Sequence, residues 1–123
     1  MRLTIDTRID INAPLSAVWS ALTDFASYPL WNPYLIRVEG VAEAGTRILV
    51  HSRSTVSGKQ ARQSVAVMAV SPPRMMHWRG TMANPDQFAG DHFWHLAPNG
   101  AGTNLRHFER FTGFDAPAIL DQH

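Results

Sequence analysis

Leu3, Ile5, Thr7, Ile9 and Ile11 interleave with Arg2, Thr4, Asp6, Arg8 and Asp10 at the start of the chain. A period of two puts each set on its own face of a strand, with one face wet. The period then changes. After Asn12-Ala13-Pro14, the residues Leu15, Val18, Trp19 and Leu22 recur at i, i+3, i+4 and i+7. That is the apolar stripe of an amphipathic helix of two to three turns. Pro14 suits the first helical position, where a missing N–H costs nothing. Thr23-Asp24 predicts a second, short helix through Ser27. Tyr28-Pro29-Leu30-Trp31-Asn32-Pro33 is expected to be irregular, because prolines restrict it on both sides.

From Tyr34 onward the chain reads as successive strands. They are expected at 34–39, 46–55, 60–70, 74–81, 87–97 and 103–112. Gly40, Ser57-Gly58-Lys59, Ser71-Pro72-Pro73, Asn84-Pro85 and Pro98-Asn99-Gly100-Ala101-Gly102 punctuate them. One strand, a helical segment, then strands with no helix between them predict an α+β domain built on an antiparallel meander.

Composition narrows the classes. The 123 residues make one domain, 1–123. With 45% hydrophobic and 17% charged residues, the chain is globular and not disordered. A net charge of +1 removes a strong electrostatic case for nucleic acid as a partner. The absence of cysteine excludes disulfides, thiolate nucleophiles and cysteine-ligated zinc, and it fits a reducing, cytoplasmic location. No apolar run approaches the roughly 18 residues of a membrane span. The first ten residues lack the apolar region of a signal peptide.

Strand parity assigns the candidate chemistry. Thr103, Leu105, His107, Glu109 and Phe111 share one face of the last strand, against Asn104, Arg106, Phe108 and Arg110. Phe88, Gly90, His92, Trp94 and Leu96 share a face of the preceding strand, and Met76, Trp78 and Gly80 a face of the one before. His92, His107 and Glu109 are therefore expected as convergent polar groups on an apolar face. A His beside a Glu transfers protons near neutral pH, so these three are the candidate catalytic residues if the chain is an enzyme. The alternative is a structural cluster in which Glu109 satisfies a buried cation or imidazole. The expected ligand-binding set is Trp31, Tyr34, Met76, Trp78, His92, Trp94, Leu105, His107, Glu109 and Phe111. Trp31, between two prolines, is expected at the rim of a cavity. Trp19 is expected in the core. His51 and His77 are expected at the surface, as are Arg37, Arg47, Arg53, Arg62 and Arg74.

His92 and His95 point to opposite faces of a strand and cannot share an ion. His92, His107 and Glu109 can form a two-His, one-carboxylate set, but nothing in the spacing demands it. No metal and no cofactor is expected. Gly-x-Ser-x-Gly and P-loop patterns are absent.

The signature Ile11-x-Ala13-Pro14-x-x-x-Val18-Trp19-x-x-Leu22-x-Asp24-Phe25-x-x-Tyr28-Pro29-x-Trp31-Asn32-Pro33 resembles the START-like, helix-grip (SRPBCC) superfamily. That superfamily includes polyketide cyclases/dehydratases and birch-pollen-allergen-like proteins. Pro72-Pro73-Arg74 into Trp78-x-Gly80, and Gly102-Thr103 into His107-x-Glu109-x-Phe111-x-Gly113, extend the resemblance over nearly the whole chain. It implies a seven-stranded curved antiparallel sheet, two short N-terminal helices, a C-terminal helix and an apolar cavity on the concave face. The implied function is binding of a hydrophobic or amphipathic small molecule. The alternatives are a cyclase or dehydratase using His92, His107 and Glu109, and a protein-interaction module like the Hsp90-activator relatives. The last helix of the family has five or more turns, whereas ten residues follow Gly113 here. Ten helical residues reach roughly 15 Å. A homodimer through the uncovered concave face is therefore expected, with Phe114–Leu120 covering the partner.

Overall fold

The computed structural model describes residues 2–81 and 86–113. The elements run β1 (Arg2–Ile11), α1 (Leu15–Thr23), a 3-10 helix (Phe25–Leu30), β2 (Leu35–Glu39), β3 (Arg47–Arg53), β4 (Gln60–Ser71), β5 (Met75–Thr81), β6 (Ala89–Asn99) and β7 (Gly102–Thr112). The strands form one curled, seven-stranded antiparallel sheet in the order β1-β7-β6-β5-β4-β3-β2. This is the α+β antiparallel meander expected from the alternation of periods and the helix-grip architecture that the resemblance implies. Strand ends differ from the expected ones by one or two residues.

Two forces set the helical segment. The Pro14 carbonyl accepts from the Ala17 and Val18 amides and opens α1, which buries Val18 and Leu22. Trp19 is half-buried and packs against the core from its side. The irregular stretch expected from Tyr28 begins later: the 3-10 helix runs through Tyr28, Pro29 and Leu30. A short 3-10 segment makes few internal bonds, so a proline is tolerated. Tyr28 also holds it in place. Its ring is buried, and its hydroxyl donates to the Leu22 carbonyl, one of the orphan acceptors at the end of α1. Burial pushes the Tyr28 hydroxyl pKa upward.

The core lies between these helices and one face of the sheet. Val18, Leu22, Phe25 and Tyr28 meet Ile48, Val67, Met76, Trp78, Trp94 and Leu96. This is the inner face. At its far end Thr103 is fully buried, and its Oγ1 donates to the Ala13 carbonyl at 2.9 Å, tying β7 to the entrance of α1.

The register shifts twice, between Leu35 and Arg37 and between Val67 and Ala69. Both shifts lie in β2–β5. The β1–β7, β5–β6 and β6–β7 ladders run without interruption. Parity read from the sequence therefore survives where the candidate site lies. The Phe114–Leu120 segment, and the dimer contacts expected of it, lie outside the described residues. Among the described residues, no helix is long and apolar enough to cross a membrane.

Candidate functional site

Two rows of side chains cross the inner face. Trp78, His92, Glu109 and Ile5 are successive cross-strand partners on β5, β6, β7 and β1. Met76, Trp94, His107 and Thr7 form the next row. A third row, Gly80, Gly90, Phe111 and Leu3, flanks the first. Gly90 matters here because a Cβ on it would stand 3.2 Å from the Phe111 ring. Without one, Phe111 closes over the sheet and meets the His92 ring edge-on, 5.9 Å away.

His92, His107 and Glu109 come together where the first two rows adjoin. His92 Nδ1 lies 3.1 Å from Glu109 Oε1 and 3.3 Å from His107 Nε2. His107 Nε2 lies 4.0 Å from the same carboxylate oxygen. Trp94 stacks on His107 at 4.9 Å with ring planes 5° apart, and on His92 at 5.9 Å. Their side chains are 32% (His92), 31% (His107) and 20% (Glu109) exposed, so the cluster is sheltered yet reachable.

Burial holds the His107 imidazole below its ordinary pKa, against the pull of Glu109 and with the push of His92. For Glu109, burial acts upward. The hydrogen bond from His92 and the charges of His92 and His107 outweigh it and hold the carboxyl below its ordinary value. At neutral pH the cluster therefore combines a carboxylate with a neutral His107.

Met76, Trp78, Trp94 and Phe111 are buried on this face, and Leu105 is half-buried beside them. Trp31 and Tyr34 stand apart from the rows, on the loop after the 3-10 helix, 50% and 40% exposed. The Trp31 ring rests on Tyr28 at 4.8 Å. Among the described residues, the buried indole N–H of Trp78 has no hydrogen-bond partner.

The other face holds a cluster that the sequence reading missed. Asp91 is 1% exposed. His77 Nε2 lies 2.7 Å from its Oδ1, Arg79 Nη1 donates to Oδ2 at 3.0 Å, and Arg110 Nη2 stands 3.7 Å away. His77 is thus not a surface residue: its ring stacks on Phe93 at 4.0 Å and its side chain is 17% exposed. The signal was the cross-strand row Arg79–Asp91–Arg110, an acid between two bases. His51 is also half-buried, 2.8 Å from Glu39. The outer face carries two depressions. One of about 590 Å³ is lined by Arg8, Arg74, Asn104 and Arg106 among others, and one of about 260 Å³ by Phe93, Phe108 and Arg110 among others. Neither includes a residue of the His92 cluster.

A family described as polyketide cyclase / dehydrase and lipid transport matches residues 2–121 of the chain. The chain belongs to this family. Among solved structures it is similar to protein MLL2253 from Mesorhizobium loti, with a TM-score of 0.69 and 23% identity over 91% of this chain and 77% of that one. It is similar to a START superfamily protein from Mycobacterium smegmatis, with a TM-score of 0.72 and 16% identity over 88% and 75%. Protein Ms6760 from the same organism gives 0.78 and 15% over 97% and 79%. At these identities the likeness is one of fold. No curated protein matches the chain. The family's description names lipid transport beside polyketide cyclase / dehydrase.

Proposed function

We propose that the chain binds a hydrophobic or amphipathic small molecule on the inner face of the sheet. His92, His107 and Glu109 orient its polar end. Met76, Trp78, Trp94, Leu105 and Phe111 supply the apolar wall, with Trp31 and Tyr34 at the rim. The observation that carries this reading is three convergent polar groups, partly exposed, between two tryptophans and Phe111 on a mostly apolar face. Few polar groups in an apolar surround is the usual make-up of a ligand site. The unpartnered Trp78 N–H supports it, because an acceptor on a ligand would relieve a buried donor.

Titration with the uncharged dye Nile red, followed by tryptophan quenching, tests the reading. Saturable binding at one site per chain is expected, weakened by His107→Ala. Quenching that never saturates contradicts it.

A second reading is acid–base catalysis of the cyclase or dehydratase type. It rests on the pairing of an ionised Glu109 with a neutral His107, a proton-accepting arrangement. Incubation separates the two: a carrier returns its ligand unchanged.

The proposal extends to a homodimer beside the same face. Ile5 and Ile9 of β1 are 45% and 59% exposed there, and a second copy in a C2 arrangement would cover them. Sedimentation at micromolar concentration is expected to give a dimer.

A further inference from the structure

We propose that His92, His107 and Glu109 bind one divalent transition-metal ion of the zinc or cobalt(II) kind, with a coordination position left open to water or a small oxygen ligand. The donor atoms His92 Nδ1, His107 Nε2 and Glu109 Oε1 form a triangle with sides of 3.1, 3.3 and 4.0 Å. Bonds of about 2.0–2.1 Å to zinc place tetrahedral ligand atoms roughly 3.3 Å apart. A point about 2.1 Å from all three atoms lies within this triangle, and an ion there needs both imidazoles to turn, because their facing nitrogens, 3.3 Å apart between ring centroids 5.5 Å apart, now point at each other. Two imidazoles and a carboxylate suit a borderline transition ion better than calcium or magnesium. Three protein ligands leave the open position of a reactive site.

The surroundings favour the ion. The rings of His92, Trp94 and His107 are nearly parallel, which brings both imidazole nitrogens to the same side of the indole. The uninterrupted β6–β7 ladder fixes the backbone beneath them. The cross-strand and same-face neighbours Ile5, Thr7, Trp78, Trp94, Leu105 and Phe111 are uncharged, so no ammonium or guanidinium in these rows opposes a cation. Partial exposure of all three side chains leaves an entry path.

The other His–carboxylate groups differ. Arg79 already occupies the Asp91 carboxylate beside His77, and Arg110 stands close by. His51 and Glu39 offer two donors, with Arg37 on the same carboxylate. Among the described residues, the inner cluster is the one that gathers three ligand atoms within 4.8 Å of one another.

The inference does not depend on the small-molecule reading, because the ion is tested alone. Chelator-stripped protein is dialysed against micromolar zinc, and in parallel loaded with cobalt(II) and read by its visible ligand-field absorption. One ion per chain is expected. His107→Ala and Glu109→Gln should each weaken zinc binding by at least about tenfold, and His51→Ala should leave it unchanged. Glu109→Gln preserves shape, so it keeps the test alive if His107→Ala fails to fold by circular dichroism. Substoichiometric zinc overturns the proposal. So does binding that survives both substitutions or disappears with His51→Ala.

Discussion

His92 and Glu109 stand directly opposite each other on β6 and β7, with Nδ1 and Oε1 3.1 Å apart. The same nitrogen lies 3.3 Å from His107 Nε2. His92 Nδ1 is thus the hub of the cluster. A proton there has two acceptors in reach, and an ion there has two further ligands. A purely structural cluster needs only the proton, so the decisive comparisons separate binding from stability.

Glu109→Gln should lower unfolding free energy by no more than about 1–3 kcal/mol, the range for stranding a sheltered polar partner. Its effect on binding of an uncharged amphiphile should be at least tenfold. Urea denaturation and the quenching titration give the two numbers. A stability loss with no change in affinity would assign the cluster to the fold alone.

Asp91→Ala should behave in the opposite way. It removes a carboxylate that is almost wholly buried and leaves His77 and Arg79 without their shared acceptor. Because those partners are themselves 17% and 35% exposed, the cost should be about 2–3 kcal/mol, below that of breaking a fully buried pair. Ligand and zinc binding on the inner face should be preserved. Chemical denaturation beside the titration checks both halves.

Acid should loosen β1 before the centre of the sheet. Asp6 accepts two bonds from Arg106, and Asp10 accepts one each from Asn104 and Asn99. These bonds hold both carboxyls below their ordinary pKa. The stabilisation is complete above the unfolded carboxylate value of about 3.9 and is lost as the pH falls through the lower folded values. Among the described residues, β1 is an edge strand paired only with β7. Its amide protection factors should therefore drop below about pH 4 while those of β5 persist. Parallel loss in β1 and β5 would contradict this.

The alternation of Leu3 through Ile11 and the turn residues after Gly40 made the fold legible, and β3 and β5 bury alternate side chains as such patterns predict. β1 itself departs from the expectation of a single wet face, because Ile5 and Ile9 of its apolar set are also exposed. His92, His107 and Glu109 were legible by parity because no bulge interrupts β6 or β7. Their separations were not, since parity fixes a face and not a rotamer. Asp91 escaped because Arg79 and Arg110 on its face look like solvated charge until the cross-strand register is known. Pro29 within a 3-10 helix escaped for a related reason. The burial of Tyr28, a tertiary effect, outweighs a local rule.

The most direct test of the inner face as the ligand site is a two-dimensional NMR titration with an uncharged medium-chain fatty alcohol. Side-chain signals of Trp78, Trp94, His92 and His107 should shift together and saturate. Shifts confined to Arg8, Arg74 and Arg106 on the outer face, or no saturable shifts at all, would contradict the account.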